Sequence, residues 1–468
     1  MKSVALHNLG CKVNSYEFDG MQQMLRESGY KIVPFDQEAD VYIINTCTVT
    51  NIADRKSRQM IHRAKKRNPQ AVVVAAGCYV QTAGEALGQE EAIDIAIGNN
   101  RKKDIVSILE DYWKSRMPSA DDAGAPVEDS GKTECVKAGR TDGLKDSGGR
   151  AVLEIIDIAA AREYEEMQLT RTAEHTRACI KIQDGCNQFC SYCIIPYARG
   201  RVRSRREEDI VREVQGIVRA GYREIVLTGI HISSYGVDRG KTELLQLLCK
   251  LHEIEGLERI RLGSLEPRIV TEEFVAAISA MPKICPHFHL SLQSGCDSVL
   301  DRMNRHYTAG EYFQTTELLR NYYRDPAITT DVIVGFPGET EEEFRITEEF
   351  VRKVNFYEMH IFKYSKRQGT KAAAMESQIT ESEKSRRSAI LAQAEKEMSH
   401  AFRAGYRNRE VTVLFEEKKE IDGTMYWVGH TPQYIRAAKA AEGAGDLSNH
   451  LTEGKMTAFL RDDIMLLK

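Results

Sequence analysis

Cys186, Cys190 and Cys193 stand at C-x3-C-x2-C spacing inside Asp184-Gly-Cys-Asn-Gln-Phe-Cys-Ser-Tyr-Cys-Ile-Ile-Pro196. A single short loop can thus bring three thiolates to one metal centre, and soft sulfur ligands favour zinc, copper(I) or iron-sulfur clusters. Ligand number divides these options. A structural zinc site takes four protein ligands, whereas a 4Fe-4S cluster held by three thiolates keeps one iron open to a small molecule. A zinc loop and cysteines with no ligand role remain alternatives at this point. Disulfides fit poorly, because Met1-Lys2-Ser3-Val4 leads into a strand-like segment rather than a secretory signal, and no apolar run reaches membrane-spanning length. The expected setting is the cytoplasm, without a membrane partner.

The 468 residues suggest about three domains. Formal net charge is -4, so nucleic-acid contact must come from local basic patches. In the first hundred residues an apolar run meets a cysteine three times: Val4–Gly10 before Cys11, Val41–Thr46 before Cys47, and Val72–Gly77 before Cys78. Helical patterns lie between them, which predicts parallel βαβ units whose carboxyl ends share one edge. Three distant cysteines then meet as a second triad; buried core cysteines are the alternative. A fourth strand is expected at Ile93–Gly98. The helix over Ile52–Asn68 is expected to turn Ile52, Met60, Ile61 and Ala64 inward while carrying seven cations, a solvated face or a phosphate-binding one.

Residues 118–150 hold six glycines and no aromatic residue, the composition of a flexible linker, and Cys135 within them is not expected to be a ligand. A short strand is a possible reading of Leu153–Ile158. Strands are then expected near Ala178–Ile182, Glu224–Thr228, Arg259–Gly263, His287–Leu292, Ile328–Val334 and Tyr357–Phe362, six βα units of an open barrel. Arg199, Arg201, Arg203, Arg205 and Arg206 follow the cysteine loop, as a solvated turn or as forks for phosphates and carboxylates. Five short strand candidates from Glu410 to Leu467 suggest a small barrel, with at least two of Tyr426, Trp427 and Tyr434 filling its core.

The C-x3-C-x2-C loop resembles that of the radical S-adenosylmethionine (SAM) superfamily. Leu9-Gly-Cys-Lys-Val-Asn14, Asn45-Thr-Cys-Thr-Val-Thr50 and Ala76-Gly-Cys-Tyr-Val-Gln81 are similar to the three cysteine signatures of its methylthiotransferase family. The residues after Cys11 and Cys47 are most similar to the branch acting on tRNA that carries N6-threonylcarbamoyladenosine at position 37. Composition, strand pattern and the resemblance, which covers nearly everything except 118–175, together divide an α/β chain into four parts: an amino-terminal parallel α/β domain (1–117), a flexible linker and lead-in (118–175), a partial (βα)6 radical SAM barrel (176–403), and a TRAM-like RNA-binding β-barrel (404–468).

The resemblance implies two 4Fe-4S clusters, one on Cys186, Cys190 and Cys193 and one on Cys11, Cys47 and Cys78. SAM is expected to meet Gly229, Ser264, Glu266 and Gln293, although Thr228-Gly-Ile-His231 departs from the Gly-Gly-Glu of many superfamily members. In the family's chemistry, SAM cleavage yields a 5'-deoxyadenosyl radical that takes hydrogen from adenine C2. Sulfur from the auxiliary cluster, methylated by a second SAM, is joined there. The implied partners are the tRNA anticodon loop, an electron donor and a sulfur source. Competing readings are a methylthiotransferase for isopentenyladenosine tRNA or for a ribosomal protein, which the residues after Cys11 and Cys47 oppose. A non-enzymatic RNA-binding iron-sulfur protein is opposed by the intact cysteine loop and polar strand ends.

Overall fold

The computed structural model describes residues 1–116, 151–170 and 176–468. The linker expected at 118–150, with Cys135, lies outside the described residues. The chain divides into two units, Met1–Met167 with Tyr197–Arg199, and Gln168–Pro196 with Gly200–Lys468.

The first unit is a six-stranded parallel sheet of β1 (Ser3–Asn8), β2 (Lys31–Val33), β3 (Val41–Thr46), β4 (Val72–Gly77), β5 (Ile95–Ile97) and β6 (Val152–Glu154), in the order β2-β1-β3-β4-β5-β6. Its strands read as nearly unbroken apolar runs because both faces are covered. Val41, Ile43 and Val74 pack with Leu25 and Leu109 on one side, whereas Tyr42, Ile44 and Val73 meet Ile61 and Ala64 on the other. Two differences from expectation follow. β6 completes this sheet by pairing with β5, so the unit runs beyond residue 117. Ile52 is 60% exposed, since only Ser57, Ile61 and Ala64 of the helix Asn51–Arg67 are buried.

The second unit carries β7 (Arg177–Asp184), β8 (Arg203–Ser204), β9 (Glu224–Gly229), β10 (Arg259–Leu262), β11 (His287–His289), β12 (Ala327–Val334) and β13 (Glu358–Lys363). Hydrogen-bonded neighbours give β10-β9-β7-β8 and β11-β12-β13, and single bridges Ile260↔Ile284 and Leu265↔Leu290 join the two groups. Six parallel strands therefore form an open barrel, with β8 a short antiparallel return on β7. Its outer layer buries Ile180, Leu227, Ile260, Phe288 and Val332 against Val214, Leu248 and Val351 of the helices. Each fully buried side chain of this kind contributes about 1.5–3 kcal/mol.

The last strands, β14 (Glu410–Ile421), β15 (Thr424–His430), β16 (Arg436–Ala440), β17 (Leu451–Arg461) and β18 (Ile464–Leu467), close as β14-β15-β16-β18-β17. Trp427 fills the core of this small barrel. Tyr434 instead lies in a turn at φ 68. It stacks on His430 at 4.5 Å and on His287 at 5.1 Å, with the Arg177 and Arg261 guanidiniums 4.9 and 4.7 Å from its ring centre. Arg259 donates to the carbonyls of His430 and Thr412, at 3.0 and 2.8 Å. The small barrel is thus held by residues that begin β7, β10 and β11, the ends opposite to the cysteine loop. Among the described residues no helix is long and apolar enough to cross a membrane.

Candidate functional site

The cysteine loop follows β7 directly. Gly185 takes φ 71, and a Cβ there would meet the Arg201 carbonyl oxygen at 1.8 Å, so only glycine permits this turn into Cys186. Beyond it, neighbouring segments fix the loop backbone. Ser191 donates from its amide to the Met303 carbonyl (3.0 Å) and from its hydroxyl to the Arg302 carbonyl (2.8 Å). Asn304 donates to the carbonyls of Gln188 and Phe189, both at 3.2 Å.

The three thiols line a cavity of about 150 Å³ whose walls include Gln188, Tyr192, His231, Ser264, Glu266, Ser291 and Arg305. The Arg305 guanidinium donates to Cys190 Sγ at 3.2 Å, and the Gln188 amide to Cys186 Sγ at 3.4 Å. Burial pushes the Cys186 thiol up to about 11 and Cys193 up to about 12. Metal binding to such thiols requires loss of the thiol proton. Burial would also raise the Glu266 carboxyl, but His231, Arg268 and Arg305 outweigh it and hold the group at about 2. The cavity thus presents a fixed anion beside the thiols, with His231 Nε2 3.4 Å from Glu266 Oε2.

The expected residues separate here. Ser264 and Glu266 share the cavity with the cysteines, whereas Gly229 and Gln293 are outside its lining. Gly229 lies tight against Gln183, where a Cβ would be 2.9 Å from Oε1. Gln293 adopts φ 71 and pairs through its backbone with Asp331 and Ile333 of β12. Gln188, His231 and Arg305 are not singled out by the sequence as cavity residues. His231 and Arg305 sit on loops without periodicity, so the only available signal was their closeness to strand ends and to the loop.

In the first unit Cys11 caps the helix Lys12–Glu27, Cys47 follows β3, and Cys78 opens the helix after β4. A Cβ on Gly10 (φ 111) would stand 3.1 Å from Cys47 Sγ, so the turn before Cys11 passes directly beside Cys47. Buried asparagines hold these strand ends: Asn14 donates to the Leu9 and Thr46 carbonyls (2.6 and 2.9 Å), and Asn45 to the Asn14 carbonyl (2.9 Å). Cys78 Sγ accepts from Arg199 Nε at 3.2 Å and from Asn99 at 3.5 Å. Burial raises the Cys47 thiol to about 11, with Cys78 and Cys11 among the groups pushing it upward, so the three sulfurs lie within electrostatic reach of each other.

The arginine run behaves differently from a solvated turn. Arg199, Arg203 and Arg205 are almost wholly buried, paired with Glu17, Asp184 and Glu213 respectively. Arg201 and Arg206 alone of the five are exposed.

Sulfurs around one tetrahedral zinc lie about 3.8 Å apart, from a Zn–S bond of about 2.3 Å. Among the described residues only His289, Asp331 and His360 bring three ligand atoms within 4.8 Å, and neither cysteine triad is that tight. In the loop triad Cys190 is buried while Cys186 and Cys193 are half-buried; in the other triad Cys47 and Cys78 are buried and Cys11 is exposed. Wider thiol triads met by N–H donors fit a cluster better than a single ion.

The Radical SAM superfamily pattern matches residues 180–351, and an uncharacterized protein family, UPF0004, matches residues 3–98. The chain is 38% identical to the threonylcarbamoyladenosine tRNA methylthiotransferase MtaB of Bacillus subtilis (strain 168), over 97% of this chain and 94% of that protein. The chain belongs to the radical SAM methylthiotransferase family. It is also 37% identical to MtaB of Aquifex aeolicus, covering 89% of this chain and 94% of that one. Against a tRNA-2-methylthio-N(6)-dimethylallyladenosine synthase of Thermoanaerobacter pseudethanolicus it is 34% identical, over 88% and 81%. The fold is similar to the radical SAM methyltransferase TsrM of Kitasatospora setae, with TM-score 0.54 and 17% identity over 77% of this chain and 73% of that one. As a radical SAM methylthiotransferase, the enzyme uses a 4Fe-4S cluster and SAM.

Proposed function

We propose that this enzyme converts N6-threonylcarbamoyladenosine at position 37, in the tRNA anticodon loop, to its 2-methylthio derivative. The observation that carries this reading is the likeness, over 97% of the chain, to a protein named for that nucleoside. In this reading Cys186, Cys190 and Cys193 hold the cluster that meets SAM, and Cys11, Cys47 and Cys78 hold a second 4Fe-4S cluster. When bound, these groups supply electron transfer, the radical and the sulfur. The chain's own residues bind, orient and exclude water.

Ser264 and Glu266 are assigned to SAM, the anionic Glu266 offering acceptors to its amino or hydroxyl groups. Gly229 and Gln293 keep a place in this assignment only through the backbone around the cavity. Arg305 offsets thiolate charge at Cys190. Arg201 and Arg206, exposed beside the loop, are assigned to the substrate's carboxylate. RNA phosphates are assigned to the exposed Arg55, Lys56, Arg58, Arg63, Lys66 and Arg67 of the first unit and to the TRAM-like barrel. The electron donor and sulfur source are separate partners, and the cytoplasm is the proposed setting.

A threonylcarbamoyl substituent brings a carboxylate and a hydroxyl, whereas an isopentenyl group is apolar. A site that pairs a carboxylate rejects the analogue lacking it. Reconstituted enzyme with SAM, reductant and sulfide is expected to form methylthio nucleoside on threonylcarbamoyl tRNA and little on isopentenyl tRNA. Equal turnover of both, or product only on a ribosomal protein, would overturn the reading.

A further inference from the structure

His289, Asp331 and His360 have no part in the account so far. They lie on β11, β12 and β13, where the register pairs His289 with Thr329 and Asp331 with His360. Residues two apart on a strand share a face, so all three project from one side of the sheet. That side is turned away from the helices, since the alternating residues Phe288, Ile328, Val332 and Met359 belong to the hydrophobic core. His289 also stands one pleat repeat, about 7 Å, before Ser291, which lines the cysteine cavity. The cluster therefore faces the lumen in which that cavity opens.

Its geometry is that of a ligand set. The three ligand atoms lie within 4.8 Å of one another, and His289 Nε2 is 3.4 Å from Asp331 Oδ2. Donors at this spacing close around one ion through bonds of about 2.0–2.2 Å with small side-chain shifts. A second observation comes from outside the triad. Thr329 Oγ1 lies 3.0 Å from His289 Nδ1; with the proton on Nδ1, Thr329 accepts it and Nε2 is available to an ion, whereas without an ion Nε2–H faces the Asp331 carboxylate. Metal-binding histidines are fixed in this way by a partner on the other ring nitrogen. All three residues are partly exposed, which gives an ion a way in.

We propose that His289, Asp331 and His360 form a mononuclear site for a divalent first-row metal, with coordination positions open to the lumen. Two histidines and one carboxylate suit such ions, and the open positions take oxygen donors of a substrate. Where the enzyme acts on a threonylcarbamoyl nucleoside, the ligand is its hydroxyl, the carboxylate being assigned to Arg201 and Arg206; this rests on the proposed function, and metal binding itself does not.

The test titrates Co2+ into the full chain with its clusters loaded and oxidised, in the absence of tRNA, followed by EPR. Loaded clusters occupy the six triad cysteines, and loss of the high-spin Co2+ signal in the His289 and Asp331 variants separates nitrogen and oxygen ligation from binding at the other cysteines. One saturable equivalent is expected, with affinity lowered about tenfold or more in Thr329→Val and the equivalent lost in His289→Ala and in Asp331→Asn, at unchanged iron content. Asp331→Asn preserves side-chain shape and guards against misfolding of the histidine variant. Absence of saturable binding in the wild type, or its full retention in Asp331→Asn, would overturn the proposal whichever tRNA the enzyme prefers.

Discussion

Cys186, Cys190 and Cys193 are carried by a single loop braced by Arg302, Met303 and Asn304, whereas Cys11, Cys47 and Cys78 arrive from three strand ends. The loop triad keeps its spacing through local turns and neighbouring hydrogen bonds. The sheet triad keeps it through register, with Asn8 opposite Asn45 and Thr46 opposite Gly77. A cationic side chain touches one sulfur in each, Arg305 at Cys190 and Arg199 at Cys78. The same electrostatic solution thus appears on two unrelated frames, and damage should spread differently. A local lesion should disturb the loop triad alone, whereas a register lesion should disturb the sheet triad.

The largest effect expected is from replacing Cys186, Cys190 and Cys193 together with Ala. Iron content should fall to about half of about eight per chain, and 5'-deoxyadenosine formation should vanish. Full iron content in this variant would break the comparison.

Glycine substitutions sharpen it. Gly185→Ala places a methyl on the Arg201 carbonyl, so the loop must move; Gly10→Ala meets side chains of Asn14 and Cys47, which can yield partly. Both are strained at positive φ, by about 1 kcal/mol or more. Gly185→Ala should lose most SAM cleavage, whereas Gly10→Ala should lower only methylthio product, measured together by mass spectrometry.

A smaller effect concerns the brace of the loop. Glu343 pairs with Arg302 at 2.7 Å, and Arg302's carbonyl holds Ser191. The Arg302 hydrogen bond, followed by burial that opposes it and by Ser298 and Thr340, brings the Glu343 carboxyl down to about 2. A lowered folded-state value means stability that is present above the unfolded value, about 4.3, and is lost as pH falls toward about 2. With allowance for solvent screening this amounts to about 2 kcal/mol. Glu343→Gln should flatten the acid limb of the denaturation midpoint against pH by about that much. An unchanged acid limb would remove Glu343 from the brace.

The strands were legible because β-branched runs need two covered faces or an alternating one, and all six barrel strands fall where those runs lie. β6 was harder to read: three residues beyond a long glycine-rich stretch carry no period, and only pairing with β5 defines them. The placement of Cys186, Cys190 and Cys193 on one loop and of Cys11, Cys47 and Cys78 at strand ends was readable from spacing. The roles of Arg199, Arg203 and Arg205 were not, because their acids Glu17, Asp184 and Glu213 come from other elements and pair only after folding. Tyr434 reads from sequence as a candidate core residue of the small barrel, yet its ring is captured by His287, His430 and two arginines that no local pattern links to it.

The division of labour between the triads is tested most directly by replacing Cys11, Cys47 and Cys78 with Ala and measuring 5'-deoxyadenosine and methylthio nucleoside in one reaction with tRNA. The account predicts that SAM cleavage persists on the remaining centre while the methylthio product disappears. Undiminished product would show that these three cysteines are packed in a core and take no part in sulfur delivery.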